Sequence, residues 1–188
     1  MTRTIAAIVI AAGASLRMGS PKPLVQWRGR AFVRHVIDAL RSAGCDPIVV
    51  VEGAHALPDD AITPARRVRH EGWAQGPLSS MQAGLRATGE GAVLLATVDR
   101  PHVEASTIAA LLAAHAEDRD AVVQPLHEGR RGHPLILPAS LRAAVLAAAP
   151  TDNLRALLQS ARRHEVAVDD PAVLDNIDTP ADLARLPT

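Results

Sequence analysis

Hydrophobic positions in this chain gather into short unbroken runs separated by longer stretches with helical spacing, the pattern of alternating strands and helices. The first run, Ile5 to Ile10, is apolar and β-branched, has the length of a buried strand, and stops abruptly in a loop of small residues. A short apolar bridge from Leu24 to Trp27 leads to a turn at Arg28-Gly29. The next segment puts Phe32, Val33, Val36, Ile37, Leu40 and Ala43 on one stripe with Arg34, Asp38 and Arg41 opposite, which predicts an amphipathic helix stopped at Gly44. Pro47 precedes a run of isoleucine and valines with little alternation, a strand covered on both faces. Strand, helix and strand in that order predict a right-handed βαβ unit.

The pattern continues to the end. Gly53 to Pro64 reads as a loop or a poor short helix and Arg67 to His70 as a strand, and a helix begins around Ser79, Ser80, Met81 and Leu85. Ala92 to Val98 predicts another buried strand, ending in Asp99, and a helix follows that is apolar nearly all round and so expected to be well buried. Asp120 to Gln124 and Glu165 to Val168 read as strands, and a further apolar run reaches Leu137 after a basic turn at Arg130-Arg131. Ser140 to Ala149 and Asp152 to Ala161 predict helices separated by Pro150, the second capped by Thr151 or Asp152. Thr179 is the expected cap of a last helix, with Pro180 at its first position and Asp182 as the acid of a capping box. This ordering predicts an α/β sandwich around a mostly parallel sheet.

Composition narrows the picture. The 188 residues suit one domain, residues 1–188, with a sizeable core. Lys plus Arg and Asp plus Glu balance at 20 each, so no broad basic face invites nucleic acid or an anionic membrane, and any phosphate binding must be local. One cysteine, Cys45, excludes an internal disulfide framework and a cysteine-rich zinc site. No apolar run approaches the roughly twenty residues that span a bilayer. The N-terminal apolar run is only as long as a minimal secretory core, and cleavage after it would split the glycine loop. A cytoplasmic protein is expected.

Candidate chemistry concentrates between Ile8 and Leu24. Gly13 and Gly19 permit a tight turn and close approach to a ligand, and Arg17 and Lys22 add two cations to backbone N–H groups suited to oligophosphate. Neither familiar glycine fingerprint fits. Ala14 and Ser15 follow Gly13 where a dinucleotide loop needs its second glycine, and Gly19 is separated from Lys22 by Ser20 and Pro21, unlike a Walker loop. The stretch resembles the signature A-A-G-x-S-x-R-M-G-x-x-K of the molybdopterin nucleotidyltransferase family, retaining Ala11, Ala12, Gly13, Ser15, Arg17, Met18, Gly19 and Lys22.

Asp99 follows a strand directly, where α/β sheets place their ligands, and by position alone it could bind a ligand or cap the next helix. The resemblance implies the first: the family's strand ends in D-x-P, here Asp99-Arg100-Pro101, whose Asp binds Mg²⁺. Asp178 stands where related enzymes keep a second carboxylate, although an Asp before Thr-Pro can equally support a helix start. Asp175 and Asn176 are its possible substitutes, and Asn176 departs from the family's D-I-D-T-P. The stretch from His70 to Leu85 resembles N-P-x-W/Y-x-x-G-x-x-x-S, keeping Trp73, Gly76 and Ser80 but replacing Asn-Pro with His70-Glu71. Ser79 and Ser80 are candidate nucleotide contacts or helix caps, and Trp73 a substrate contact or core packing. Gly132-His133-Pro134 matches the family's G-H-P, and His133 is either a structural histidine or, held between Gly and Pro beside Arg130 and Arg131, one placed near an anionic substrate. Asp152-Asn153-Leu154-Arg155 resembles its substrate-side helix, with Arg155 a substrate contact or a solvated charge.

The resemblance therefore implies a three-layer Rossmann-like sandwich of the nucleotide-diphospho-sugar transferase type, and a cytoplasmic Mg²⁺-dependent nucleotidyltransferase. Arg17, Lys22 and Asp99 are the expected catalytic set, and Ala11 to Gly13, Ser15 and Gly19 cradle the nucleotide. The implied acceptor is molybdopterin or its molybdenum complex, and a molybdoenzyme or maturation factor is a possible partner. Ile10-Ala11-Ala12-Gly13 sits with cytidylyl rather than guanylyl members, so CTP is the expected donor. The same chemistry on a sugar or lipid precursor, or a nucleotide-binding chaperone or sensor without turnover, are the alternatives. With no tyrosine and one phenylalanine, no aromatic platform for stacked bases exists.

Overall fold

Three nearly uninterrupted apolar strands form the middle of the molecule. The computed structural model describes residues 4–187. Strand β1 (Ala6–Ala11) lies parallel between β4 (Ile48–Glu52) and β6 (Val93–Thr97), with Ile8 opposite both Val49 and Leu95. Between β1 and β4 run a hairpin of β2 (Gln26–Trp27) and β3 (Arg30–Ala31), and helix α1 (Phe32–Ser42). The hairpin turns at Arg28 and Gly29, both at positive φ, the backbone that a two-residue turn between twisted strands demands. Gly44, at φ 95°, follows the end of α1 as the sequence predicts.

The 53–64 stretch, which the sequence leaves open between a loop and a short helix, holds α2 (Asp59–Ile62), and it leads to β5 (Arg66–Arg69), the parallel edge strand beside β4. Helix α3 (Pro77–Ala87) precedes β6, and α4 (Ala105–Glu117) follows it. Then come β7 (Val122–His127), β8 (Arg130–Arg131) and β9 (Leu135–Leu137), α5 (Arg142–Ala147), α6 (Leu154–Leu157), β10 (Arg163–Ala167) and α7 (Pro180–Arg185). The sheet runs β10-β7-β9-β6-β1-β4-β5, with β8 paired to β7 and with β9 antiparallel to both neighbours. This is the mostly parallel α/β sandwich expected.

Strand alternation feeds two apolar layers. Ala7, Val9 and Ala11 join α1 and α4 on one face; Ile8 joins α3 and α5 on the other. Helix α3 crosses the sheet at Gly84, where a Cβ would stand 2.5 Å from Cγ2 of Ile8. Two expectations are corrected. Helix α4 is buried on one side only, because Ala109, Ala113 and Ala116 face solvent, where alanine's small apolar surface makes exposure cheap. The helix expected from Asp152 to Ala161 shrinks to the single turn of α6, and its cap is Asn153, whose side chain accepts from the Arg155 N–H at 2.8 Å, while Asp152 instead accepts from the Ala149 N–H. Side-chain acceptors at both positions bond the local backbone in place of helical carbonyls, which keeps the segment short.

Candidate functional site

The loop after β1 is built by its own signature. Ala11 and Ala12 are buried at the strand end, and the Ala12 carbonyl accepts from the Ala54 N–H at 3.0 Å, tying the loop to the stretch after β4. Ser15 adopts φ 56°, its carbonyl accepts from the Met18 N–H, and its hydroxyl accepts from the Lys22 N–H at 2.9 Å. Met18, 6% exposed, inserts into the layer beneath α1 and anchors the loop by burial. Gly19 turns the chain at φ 72°, a region costly for residues with a Cβ. His55 donates from Nε2 to the Ala14 carbonyl at 3.1 Å. These contacts leave Gly13 and Arg17 exposed at the rim.

The two loop cations meet a carboxylate distant in sequence. Lys22 Nζ donates to Asp178 Oδ1, and Arg17 pairs with Asp178 Oδ2 at 3.0 Å. Lys22 is 12% and Asp178 20% exposed, whereas Arg17 is 72% exposed, so the Lys22 contact is the shielded one. Burial works against ionisation of Asp178, but the Lys22 and Arg17 cations outweigh it and hold the carboxyl below the usual range. The segment carrying Asp178 is positioned from both sides. Ile177 N–H donates to the Asp99 carbonyl at 2.8 Å, and the Asp178 N–H donates to Asp182 Oδ2 at 3.0 Å within the capping box that opens α7.

Asp99 therefore lies beside this cluster through a main-chain bond. Its Oδ1 accepts from the Thr97 hydroxyl and from Arg100 at 3.3 Å, and the same Arg100 nitrogen donates to Thr97 Oγ1 at 2.9 Å. Among the described residues no group of three or more His, Cys, Asp or Glu side chains could hold a metal ion. Two carboxylates on neighbouring segments still suit a hard cation that takes its remaining ligands from phosphate and water, and Asp99 Oδ2 accepts no hydrogen bond from the described residues.

The remaining candidates divide. Trp73 lies against the loop: a Cβ on Gly53 would stand 2.5 Å from Trp73 Cβ and 2.7 Å from the Ala12 carbonyl, so only glycine lets β4's exit pass between them. Ser79 and Ser80 are buried in the first turn of α3, whose cap is Gly76 rather than either serine. Ser79 donates to the Gly76 carbonyl at 2.7 Å and accepts from His70 Nε2 at 3.0 Å, so His70 braces this turn. His133 is at β6's end of the sheet with Thr97 and Arg100, lining one small cavity with them, rather than beside Arg130 and Arg131, which are exposed on β8. Burial first, and then the Arg100 cation, push its ring down to about 4, against the weaker pull of Asp99. Arg155 stands exposed on α6 and makes no ion pair among the described residues. Sequence reasoning passed over Thr97, Arg100, Gly53 and His55. Only Thr97 and Arg100 carried a signal, as polar residues flanking a strand-end aspartate.

Known proteins bear on this geometry. A family model for the MobA-like NTP transferase domain matches residues 7–166. A relative from Paenarthrobacter nicotinovorans named nicotine blue oxidoreductase is 35% identical over 75% of this chain and 74% of its own. A probable molybdenum cofactor guanylyltransferase from Mycobacterium avium is 31% identical, covering 97% of this chain and 94% of its own. A solved structure of Rv0371C from Mycobacterium tuberculosis, in complex with manganese, shares the fold, with a TM-score of 0.77 at 21% identity over 98% of both chains.

Proposed function

The chain belongs to the MobA-like NTP transferase family, and on that premise we propose that it transfers CMP from CTP to a phosphorylated acceptor, molybdopterin or its molybdenum complex, with a divalent cation. The observation that carries this reading is the meeting of Lys22 and Arg17 with Asp178, one residue from the Ile177 N–H bonded to Asp99. Two cations on a glycine-turned loop suit a triphosphate, and two neighbouring carboxylates suit the cation that travels with it.

The chemistry asks little of a base. A phosphate monoester has a second pKa near 6 and is already largely ionised at neutral pH. Its oxygen attacks the α-phosphorus of CTP, one P–O bond forms, the bond to the β-phosphate oxygen breaks, and pyrophosphate leaves with both electrons of that bond. Lys22 and Arg17 neutralise the triphosphate as charge moves onto the leaving group, exchanging Asp178 for phosphate oxygens. Asp99 and Asp178 are the residues that would hold Mg²⁺, which when bound supplies further charge neutralisation. Ala11, Ala12, Gly13, Ser15 and Gly19 shape the phosphate cradle, with Ser79 and Ser80 supporting the nucleotide side. Trp73, His133 and Arg155 are the proposed acceptor contacts.

A second donor has support of its own. The Mycobacterium avium relative is named a guanylyltransferase, which favours GTP, while the Ala11-Ala12-Gly13 text favours CTP. The oxidoreductase name of another relative means that family membership alone does not fix the reaction. Purified protein given molybdopterin, a divalent cation and each NTP in turn decides among them by released pyrophosphate. CTP should release the most and Asp99→Asn should abolish release with the fold intact. Preferential release from GTP would move the donor, and reduced-nicotinamide turnover without pyrophosphate would overturn the reading. No described helix is long and apolar enough to cross a membrane. We place the reaction in the cytoplasm, with a molybdoenzyme or its maturation factor receiving the product.

A further inference from the structure

Asp99 is gripped by one oxygen only. Thr97 Oγ1 donates to Oδ1, and Arg100 donates from a single nitrogen both to that Oδ1 at 3.3 Å and to the Thr97 hydroxyl at 2.9 Å. The three groups form a closed triangle in which the arginine fixes the direction of the threonine proton: the hydroxyl accepts from Arg100 and must point its own hydrogen at the carboxylate. Arg100 is 13% exposed and its Nε is buried with no partner among the described residues. A guanidinium that leaves Nε unmatched in a shielded place is held there by the bonds that Nη1 makes, since an unmade buried hydrogen bond is costly.

We propose that Thr97 and Arg100 are positioning residues: by occupying Oδ1 they lock the Asp99 carboxylate so that Oδ2 alone is presented to the divalent cation. This rests on the metal-dependent reading given above, and adds to it two residues whose hydrogen bonds run to the Asp99 carboxylate and to each other. The consequence is one-oxygen coordination by a carboxylate already turned to its ligand, so the rotational freedom of the side chain is surrendered on folding instead of on binding. Outer hydrogen bonds of this kind are worth roughly tenfold or more in metal affinity. Thr97 is the cleaner of the two to test, because valine has its shape and lacks only the hydroxyl.

Mn²⁺ added to the full chain without nucleotide, with free Mn²⁺ counted by its paramagnetic resonance signal, reads the carboxylate directly. Thr97→Val should weaken binding about tenfold relative to wild type, Thr97→Ser should restore it to within about twofold, and Asp99→Asn should abolish it. Thr97→Ala, read in the same way, stands in if the valine variant does not fold. In pyrophosphate release, the half-saturating Mn²⁺ concentration should move by the same factor while the KM for nucleotide at saturating metal stays put. Wild-type Mn²⁺ affinity in Thr97→Val beside a weakened Asp99→Asn would sink the brace and leave the metal site standing. Equal weakening in the serine and valine variants would assign the effect to packing and also overturn it. Identical titrations for wild type and Asp99→Asn would overturn the brace, and pyrophosphate release that Asp99→Asn leaves unchanged would remove the metal reading as well.

Discussion

At the scale of single residues, the loop cations already have a partner, and this sets how they behave. Asp178 occupies Lys22 and Arg17, so on the proposed reading a triphosphate would displace a carboxylate as it binds. Lys22→Ala should lower pyrophosphate release at least a hundredfold, in the range found when one charge-stabilising donor is removed; a change under twofold would make it a structural cation. The Asp178 pair also predicts a pH dependence. Its carboxyl is held below the ordinary value by the two cations, in spite of burial. The stability it adds is therefore complete above the unfolded value of about 3.9 and lost as pH falls through the lower folded value. Thermal melts of wild type and Asp178→Asn should differ most above pH 5 and converge toward pH 2, and a constant gap would contradict the pairing. His133 has the opposite chemistry, since burial and Arg100 keep its ring neutral down to about 4. Its imidazole resonances should stay flat between pH 8 and pH 5; a midpoint near 6.5 would place the ring in solvent.

Among elements, contact between helix and sheet is governed by positions that break the usual rules. Alanine is worth about 1 kcal/mol more than glycine inside a helix. Gly84→Ala in α3 should nevertheless destabilise the protein, because the new methyl would stand 2.5 Å from Cγ2 of Ile8 and 3.1 Å from Cγ2 of Val51, both on stiff β-branched side chains in the sheet. A net loss of about 1–2 kcal/mol by denaturant titration is expected from overpacking of this kind, and a gain would show that α3 can lift off β1. Two buried polar side chains fasten the same helix. Gln82 donates to the Val145 and Ala148 carbonyls, and Arg142 donates to the Leu85 carbonyl at 2.7 Å and the Thr88 carbonyl at 3.3 Å. Arg142 thus closes the end of α3, sharing the Leu85 carbonyl with the Thr88 N–H and taking the Thr88 carbonyl.

For the molecule as a whole, a strap draws the candidate site residues together. The chain from Ile177 onward bonds Asp99 through the main chain, meets the loop cations through Asp178, opens α7 with a capping box, and ends with the Pro187 carbonyl accepting from Trp27 Nε1 at 3.0 Å and Arg28 Nε at 3.2 Å. Nucleotide bound at the loop should therefore be felt along this strap. Hydrogen exchange with CTP and Mg²⁺ should show protection in 12–25 and in 175–182, with the β10 edge unchanged. Protection confined to the loop would mean that the strap plays no part in binding.

The sequence by itself determined the elements and the loop. Unbroken apolar runs wrote β1, β4 and β6, helical spacing wrote α1, and Thr179, Pro180 and Asp182 wrote the capping box of α7, because each depends on neighbours a few residues away. It also supplied Asp99, Lys22 and Asp178 as separate candidates. Only the tertiary structure decided that Lys22 and Asp178 are partners, that Thr97 and Arg100 grip Asp99, that Gly53 and Gly84 are places of close approach, and that β9 runs antiparallel. Those contacts join residues whose spacing follows no period, and they come together only once burial of the apolar strands has stacked the chain into layers.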